Sequence, residues 1–121
     1  MPRRRSASKS GRTSNFEAVR AAARGLPEVE ESTYFGTSAL KIRGRMFVCL
    51  ASHRSAEPDT LVALVGAETR AALIAEWPDL YYVTDHYIGY PSVLVRLRRI
   101  ESEALKDLVG AAYRYVEKGK N

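Results

Sequence analysis

From Phe16 to Leu26 the apolar residues Phe16, Val19, Ala23 and Leu26 fall at the spacing that buries one face of an α-helix. Ser14 followed by Glu17 fits a capping box, in which each residue satisfies a backbone N–H of the other, so this helix is expected to begin at Ser14. Gly25 and Pro27 are its stop signals. The period then shortens. Residues 33–35, 40–42 and 46–50 are brief β-rich runs separated by Gly36 and by Arg43-Gly44, the pattern of a meander. After the polar loop HRSAEPD, the run TLVALV reads as a strand covered on both faces. Residues 67–76 are helix formers, and Pro78 disfavours helical geometry at Trp77, which sets the end of that helix. Residues 81–84 and 92–97 predict two more strands around the corner TDHYIGYP. A closing helix carries Leu105, Leu108, Ala112 and Val116 on one stripe, with Glu101 and Glu103 at its start and Lys118 and Lys120 at its end.

Short strands joined by hairpin-length connections and followed by helices predict an α+β fold. Its antiparallel sheet has about six strands, with helices packed on one face. In SVLVRLR, Val93, Val95 and Leu97 should face the helices while Leu94, Arg96 and Arg98 face outward. Lys41 and Arg43 alternate with Leu40 and Ile42 in the same sense. Were the two strands neighbours, Lys41, Arg43, Arg96 and Arg98, with Arg45 close by, would form a basic patch on the outer sheet face. A bulge at Arg43-Gly44 would swap the faces of Met46, Phe47, Val48 and Cys49. Glu partners would turn the same arginines into an ordinary solvated face.

Charge sharpens this picture. The chain of 121 residues has a formal net charge of +5 and a pI near 9.6, which by itself suggests an acidic partner. Five of its 19 basic residues, Arg3, Arg4, Arg5, Lys9 and Arg12, lie in the first 13 positions with no acid among them. The remaining 14 bases meet 14 acids, so the rest of the chain is formally neutral. Residues 1–13 therefore read as a disordered basic leader, an electrostatic arm for phosphates or a solvated terminus, and residues 14–121 as a single domain. No apolar segment follows Arg3, Arg4 and Arg5 as a secretory signal would require, and no run is long enough to span a bilayer. A cytoplasmic protein is expected, without membrane contact.

Candidate chemistry is sparse. His53, His86, Cys49 and Asp85 are the ingredients for a metal site, yet none has CxxC-like or HxxxH-like spacing, so no metal and no cofactor is expected. Cys49 lies in the apolar run MFVCLA and reads as a small buried hydrophobe. GxSxG, GxGxxG and GxxxxGK are all absent. The corner TDHYIGYP is the remaining candidate. Asp85 could orient His86 while Tyr87 and Tyr90 offer stacking surfaces to a planar ligand or a protein partner. As scaffold, Asp85 would cap a turn and the tyrosines would wrap the sheet edge, a common role for tyrosine in strands.

Taken in order, NFEAVR, LPEVEES, ALKIRGRMF, LYYVTDHY, SVLVRL and AAYRYV resemble the MmcQ/YjbR family, from about Asn15 to Glu117. The resemblance implies a secretion-chaperone-like α+β fold with an antiparallel sheet and a DNA-binding label through a double-wing arrangement. It implies no catalytic reaction. Many relatives carry a tryptophan after the histidine segment where this chain has Tyr90-Pro91. The functional expectations are, first, a DNA-binding or regulatory accessory protein using Arg3, Arg4, Arg5, Lys41, Arg43, Arg45, Arg96 and Arg98. Second comes a protein-interaction or small-ligand module built on His86, Tyr87 and Tyr90, and third an enzyme using Asp85 and His86. An exposed sheet face also admits a homodimer contact, so a monomer or weak homodimer is expected.

Overall fold

The computed structural model describes residues 11–119. Arg3, Arg4 and Arg5 lie outside the described residues. Helix α1 (Gly11–Ala22) leads into strands β1 (Val29–Tyr34), β2 (Thr37–Ile42), β3 (Arg45–Leu50) and β4 (Thr60–Leu64). Helix α2 (Ala67–Glu76), strands β5 (Tyr81–Tyr82) and β6 (Ser92–Arg96) and helix α3 (Ser102–Gly119) complete the chain. The six strands form one antiparallel sheet in the order β1-β2-β3-β4-β6-β5, so the α+β architecture read from the sequence is the one observed.

Two local expectations change. Helix α1 begins at Gly11 rather than Ser14, so Ser14 is inside the helix instead of capping it, and residues 11–13 belong to the helix rather than to a leader. Helices propagate more easily than they nucleate, so a segment anchored by packed Phe16 and Val19 extends backward through residues that do not break it. The strand expected over 81–84 is cut to two residues because the chain turns at Thr84, whose carbonyl accepts from the N–H groups of Tyr87 and Ile88.

Two tight hairpins set the register. Tyr34 faces Thr37 and Ile42 faces Arg45, leaving two-residue loops, Phe35-Gly36 and Arg43-Gly44. All four loop residues have positive φ, at 51°, 81°, 50° and 80°, the signature of a type I′ turn whose twist matches the strands. The bulge considered for Arg43-Gly44 occurs farther along β3. Leu40 pairs with Val48 and Lys41 with Met46, so Phe47 is the extra residue. Phe47 and Val48 consequently both join the core under the helices, while Met46 and Cys49 join the opposite face.

The main core lies between the sheet and α1 and α3. Leu40, Ile42, Leu61, Val93 and Val95 supply the sheet side, and Val19, Leu108, Val109 and Ala112 the helix side. The inward set expected in β6, Val93, Val95 and Leu97, is found there. Tyr113 closes one end of this core, its ring edge-on to Phe47 at 5.6 Å and its hydroxyl donating to the Pro27 carbonyl at 2.8 Å. Helix α2 has no buried residue and rests Leu73 and Ile74 against the rim of the core. No helix among the described residues is long and apolar enough to cross a membrane.

Candidate functional site

The sheet face away from the helices holds a second, smaller apolar cluster of Ala39, Cys49, Val62, Leu94 and Tyr87. Two segments fold across it, residues 51–59 and the corner 83–91. Polar contacts strap them together: the Glu57 N–H donates to the Tyr82 hydroxyl at 2.8 Å, the His53 N–H donates to the Tyr87 hydroxyl at 3.2 Å, and the Ser55 and Thr84 hydroxyls meet at 2.8 Å. The strap covers one end of this face. Toward the tip of the β1–β2 hairpin the face opens into a cleft of about 270 Å³. Its floor includes Met46, Cys49 and Val62, and its walls are Tyr34 and Phe35 from the hairpin and Tyr87 and Tyr90 from the corner.

Each wall is placed by a local cause. Tyr87 is 8 % exposed and plugs the small cluster, so the corner is anchored through it. Tyr90, on the same turn, is 57 % exposed. Phe35 is at the first position of a turn that favours Asn, Asp or Gly, and its ring is 81 % exposed beside Tyr34, edge-on at 4.9 Å. Holding a phenylalanine in this left-handed conformation costs roughly 1–2 kcal/mol, and an exposed ring recovers little of it through packing.

The histidines stack on one another. The rings of His53 and His86 lie parallel with centroids 3.6 Å apart, and His86 meets the edge of Tyr87 at 4.8 Å. Partial burial, then the neighbouring charges of His86 and Arg54, holds the His53 imidazole below its ordinary value of 6.5. The folded state thus resists a proton that the unfolded chain accepts. The associated stability is fully present above about pH 6.5 and declines as pH falls toward the folded value. We expect the urea midpoint to drop between about pH 7.5 and about pH 5, and His53→Gln to reduce that drop. An unchanged drop in His53→Gln would assign it to the carboxylates instead.

Among the described residues no hydrogen bond joins Asp85 to His86, whose ring is engaged by His53. Burial pushes the Cys49 thiol up to about 12, against a smaller opposing effect of the Thr37 hydroxyl, so it is neutral and a poor nucleophile at physiological pH. No group of three or more His, Cys, Asp or Glu side chains among the described residues could hold a metal ion.

The basic residues do not converge. Strands β3 and β4 separate β2 from β6, so Lys41 and Arg96 sit on strands about 14 Å apart. The Arg96 guanidinium is bidentate on Glu57, with both N···O distances 2.9 Å, and lies over the Tyr82 ring at 4.3 Å. Arg98 pairs with Asp59 at 2.7 Å and Arg43 with Glu28 at 2.8 Å. Arg45 is opposite Ile42 and therefore points to the helix side, where it reaches the Val116 carbonyl at 3.4 Å. Both arginines lining the surface depression there, about 380 Å³, are engaged as just described. His86, Tyr87 and Tyr90, expected to act together, do border one cleft. Sequence reasoning missed Tyr34 and Phe35 on the hairpin side, and Ser92 just past the corner. An aromatic preceding Gly36 at a hairpin tip was the available local signal for Phe35, whereas nothing local marked Ser92.

Comparison with known proteins agrees with this architecture. A stretch of 42 residues, 35% of the chain, is 50% identical to uncharacterised proteins of Mycobacterium bovis and Mycobacterium tuberculosis. The match spans 33% of the length of each relative. The crystal structure of Deinococcus radiodurans protein DR2400, of domain DUF419, superposes with a TM-score of 0.68. The superposition covers 85% of this chain and 78% of that one at 23% identity, a likeness of fold. The YjbR family model matches residues 24–115, from the end of the first helix through most of α3, and the chain belongs to the YjbR family.

Proposed function

We propose that this YjbR domain is a non-catalytic binding module whose site is the aromatic cleft between the Phe35 hairpin and the Tyr87–Tyr90 corner. The observation that carries this reading is Phe35 itself. An apolar ring 81 % exposed, on a backbone with φ 51°, lowers the stability of the hairpin and becomes useful only when something covers it. Tyr34, Tyr90 and Ile88 are likewise exposed, at 40 %, 57 % and 55 %. The first two flank the same opening, so the apolar surface is concentrated rather than scattered.

Phe35→Asn separates folding from binding. Asparagine tolerates the left-handed conformation, so the variant should gain about 0.5–1 kcal/mol and a few degrees in Tm. It should also bind 1-naphthol about tenfold more weakly, with the wild-type amide shifts on titration confined to Tyr34, Phe35, Cys49, Tyr87 and Tyr90. Undiminished affinity in the variant, or shifts elsewhere, would remove the cleft reading.

DNA binding, the label carried by the family resemblance, is the second reading. Its support is now the arginine-rich leader, because Arg43, Arg96 and Arg98 each rest on a carboxylate. A chain lacking residues 1–10 should show no salt-sensitive binding to duplex DNA by fluorescence anisotropy. Binding that survives the truncation and weakens with salt would give the folded body a role in phosphate contact.

A further inference from the structure

We infer that the cleft takes a neutral, planar ring compound with one hydrogen-bonding group, which it places against the Ser92 hydroxyl. This inference rests on the cleft being a binding site.

Ser92 opens β6 and lies on the same side of that strand as Leu94, the side facing the cleft. It is fully buried, and its Oγ has no hydrogen-bond partner among the described residues. Its backbone is already used. The Ser92 N–H donates to the Tyr90 carbonyl at 2.8 Å, and its carbonyl accepts from Arg70 Nη1 at 3.1 Å. The side-chain hydroxyl alone is left, and a buried hydroxyl without a partner is a net liability to the fold. A ligand group that donates to it or accepts from it would convert that liability into binding free energy and fix the ligand's orientation.

Charge and shape narrow the class. No Asp, Glu, Lys or Arg side chain lines the cleft. A carboxylate, phosphate or ammonium would lose its hydration there without gaining a counter-charge, whereas a neutral molecule would not. His86 at the margin is stacked on His53, and the Cys49 thiol on the floor is neutral. The walls are flat rings, and about 270 Å³ is at the small end for ligand pockets, suited to one ring or two fused rings.

Three probes and one variant test this in the full chain. Naphthalene and 1-naphthol share a ring system and differ by one hydroxyl. By titration calorimetry, 1-naphthol should bind about tenfold more tightly than naphthalene, the worth of one satisfied buried hydrogen bond. Ser92→Ala should abolish the preference by weakening 1-naphthol while leaving naphthalene unchanged. Its Tm should not fall, because an unsatisfied polar group is removed. 1-Naphthalenesulfonate should bind more weakly than either.

Equal affinity of the two neutral probes in the wild type would overturn the role of Ser92 and leave the cleft reading standing. Sulfonate binding as tight as that of 1-naphthol would overturn the neutrality of the ligand. Failure of all three probes would overturn both readings. A concentration-dependent dimer that Phe35→Asn dissolves would place a second copy of the chain in the cleft, and would also overturn the inference.

Discussion

Phe47→Ala should destabilise the domain by about 3–5 kcal/mol, the usual cost of removing a fully buried aromatic ring. For a domain of this size that corresponds to a fall in Tm of roughly 15–25 °C, enough to unfold much of the population at physiological temperature. Phe47 is 0 % exposed, among the largest of the fully buried side chains, and braced edge-on by Tyr113. It is also the bulge residue of β3. Through it β3 sends two successive side chains, Phe47 and Val48, into the helix-side core while Met46 and Cys49 remain on the cleft side. Truncation would leave a cavity flanked by Val48 and Tyr113 that backbone hydrogen bonding on either side hinders from collapsing. Phe47→Leu, which keeps most of the volume, should cost less than about 1.5 kcal/mol. Chemical denaturation distinguishes the two, and a loss below about 1 kcal/mol for Phe47→Ala would contradict its central place in the core.

Arg96→Ala should lower stability by about 1–2 kcal/mol and leave any DNA affinity of the chain unchanged. The side chain is 20 % exposed, much less than the surface arginines Arg43 and Arg98 at 58 % and 73 %. It stacks on Tyr82, grips Glu57 with both arms of its fork, and donates to the carbonyls of Pro78 and Asp79 at 3.3 Å and 3.1 Å. One guanidinium thereby ties the 51–59 strap to the segment entering β5. Arg96→Lys keeps the charge but loses the bidentate geometry, so it should recover less than half of the stability. Lys41→Ala, by contrast, should stay within about 0.5 kcal/mol of wild type. The opposite pattern, stability intact in Arg96→Ala with the salt slope of DNA binding reduced by about one, would make Arg96 a phosphate contact.

How far the fold could be read in advance depended on the range of the interactions involved. Helix α2 ends at Glu76 as Pro78 dictates, because a proline constrains its immediate predecessor whatever the rest of the chain does. The hairpins at Gly36 and at Arg43-Gly44 were legible for the same reason, since a two-residue loop with positive φ is a local demand. In β6 the alternation of Val93, Val95 and Leu97 identified the helix-facing side. The arginines went the other way. Arg96 and Glu57 are 39 residues apart, and a bidentate pair at that separation leaves no trace in local periodicity. Of the site, the Tyr87–Tyr90 side was visible as a cluster of aromatics, whereas Phe35 comes from a distant segment and met it only through the sheet, and the burial of Ser92 just past the corner depended on the strands packed around it.

By itself the sequence determined the α+β class, the order of helices and strands, and the helix-facing sides of β2 and β6, because backbone sterics and apolar spacing act over a few residues. Only the tertiary structure decided that β6 inserts beside β4 rather than β2, that the extra residue of β3 is Phe47, and that the far face of the sheet is strapped over with a cleft at one end. Those outcomes follow from long-range hydrogen bonding and packing. Whether an arginine meets a glutamate or a phosphate depends on which segments the completed sheet brings side by side.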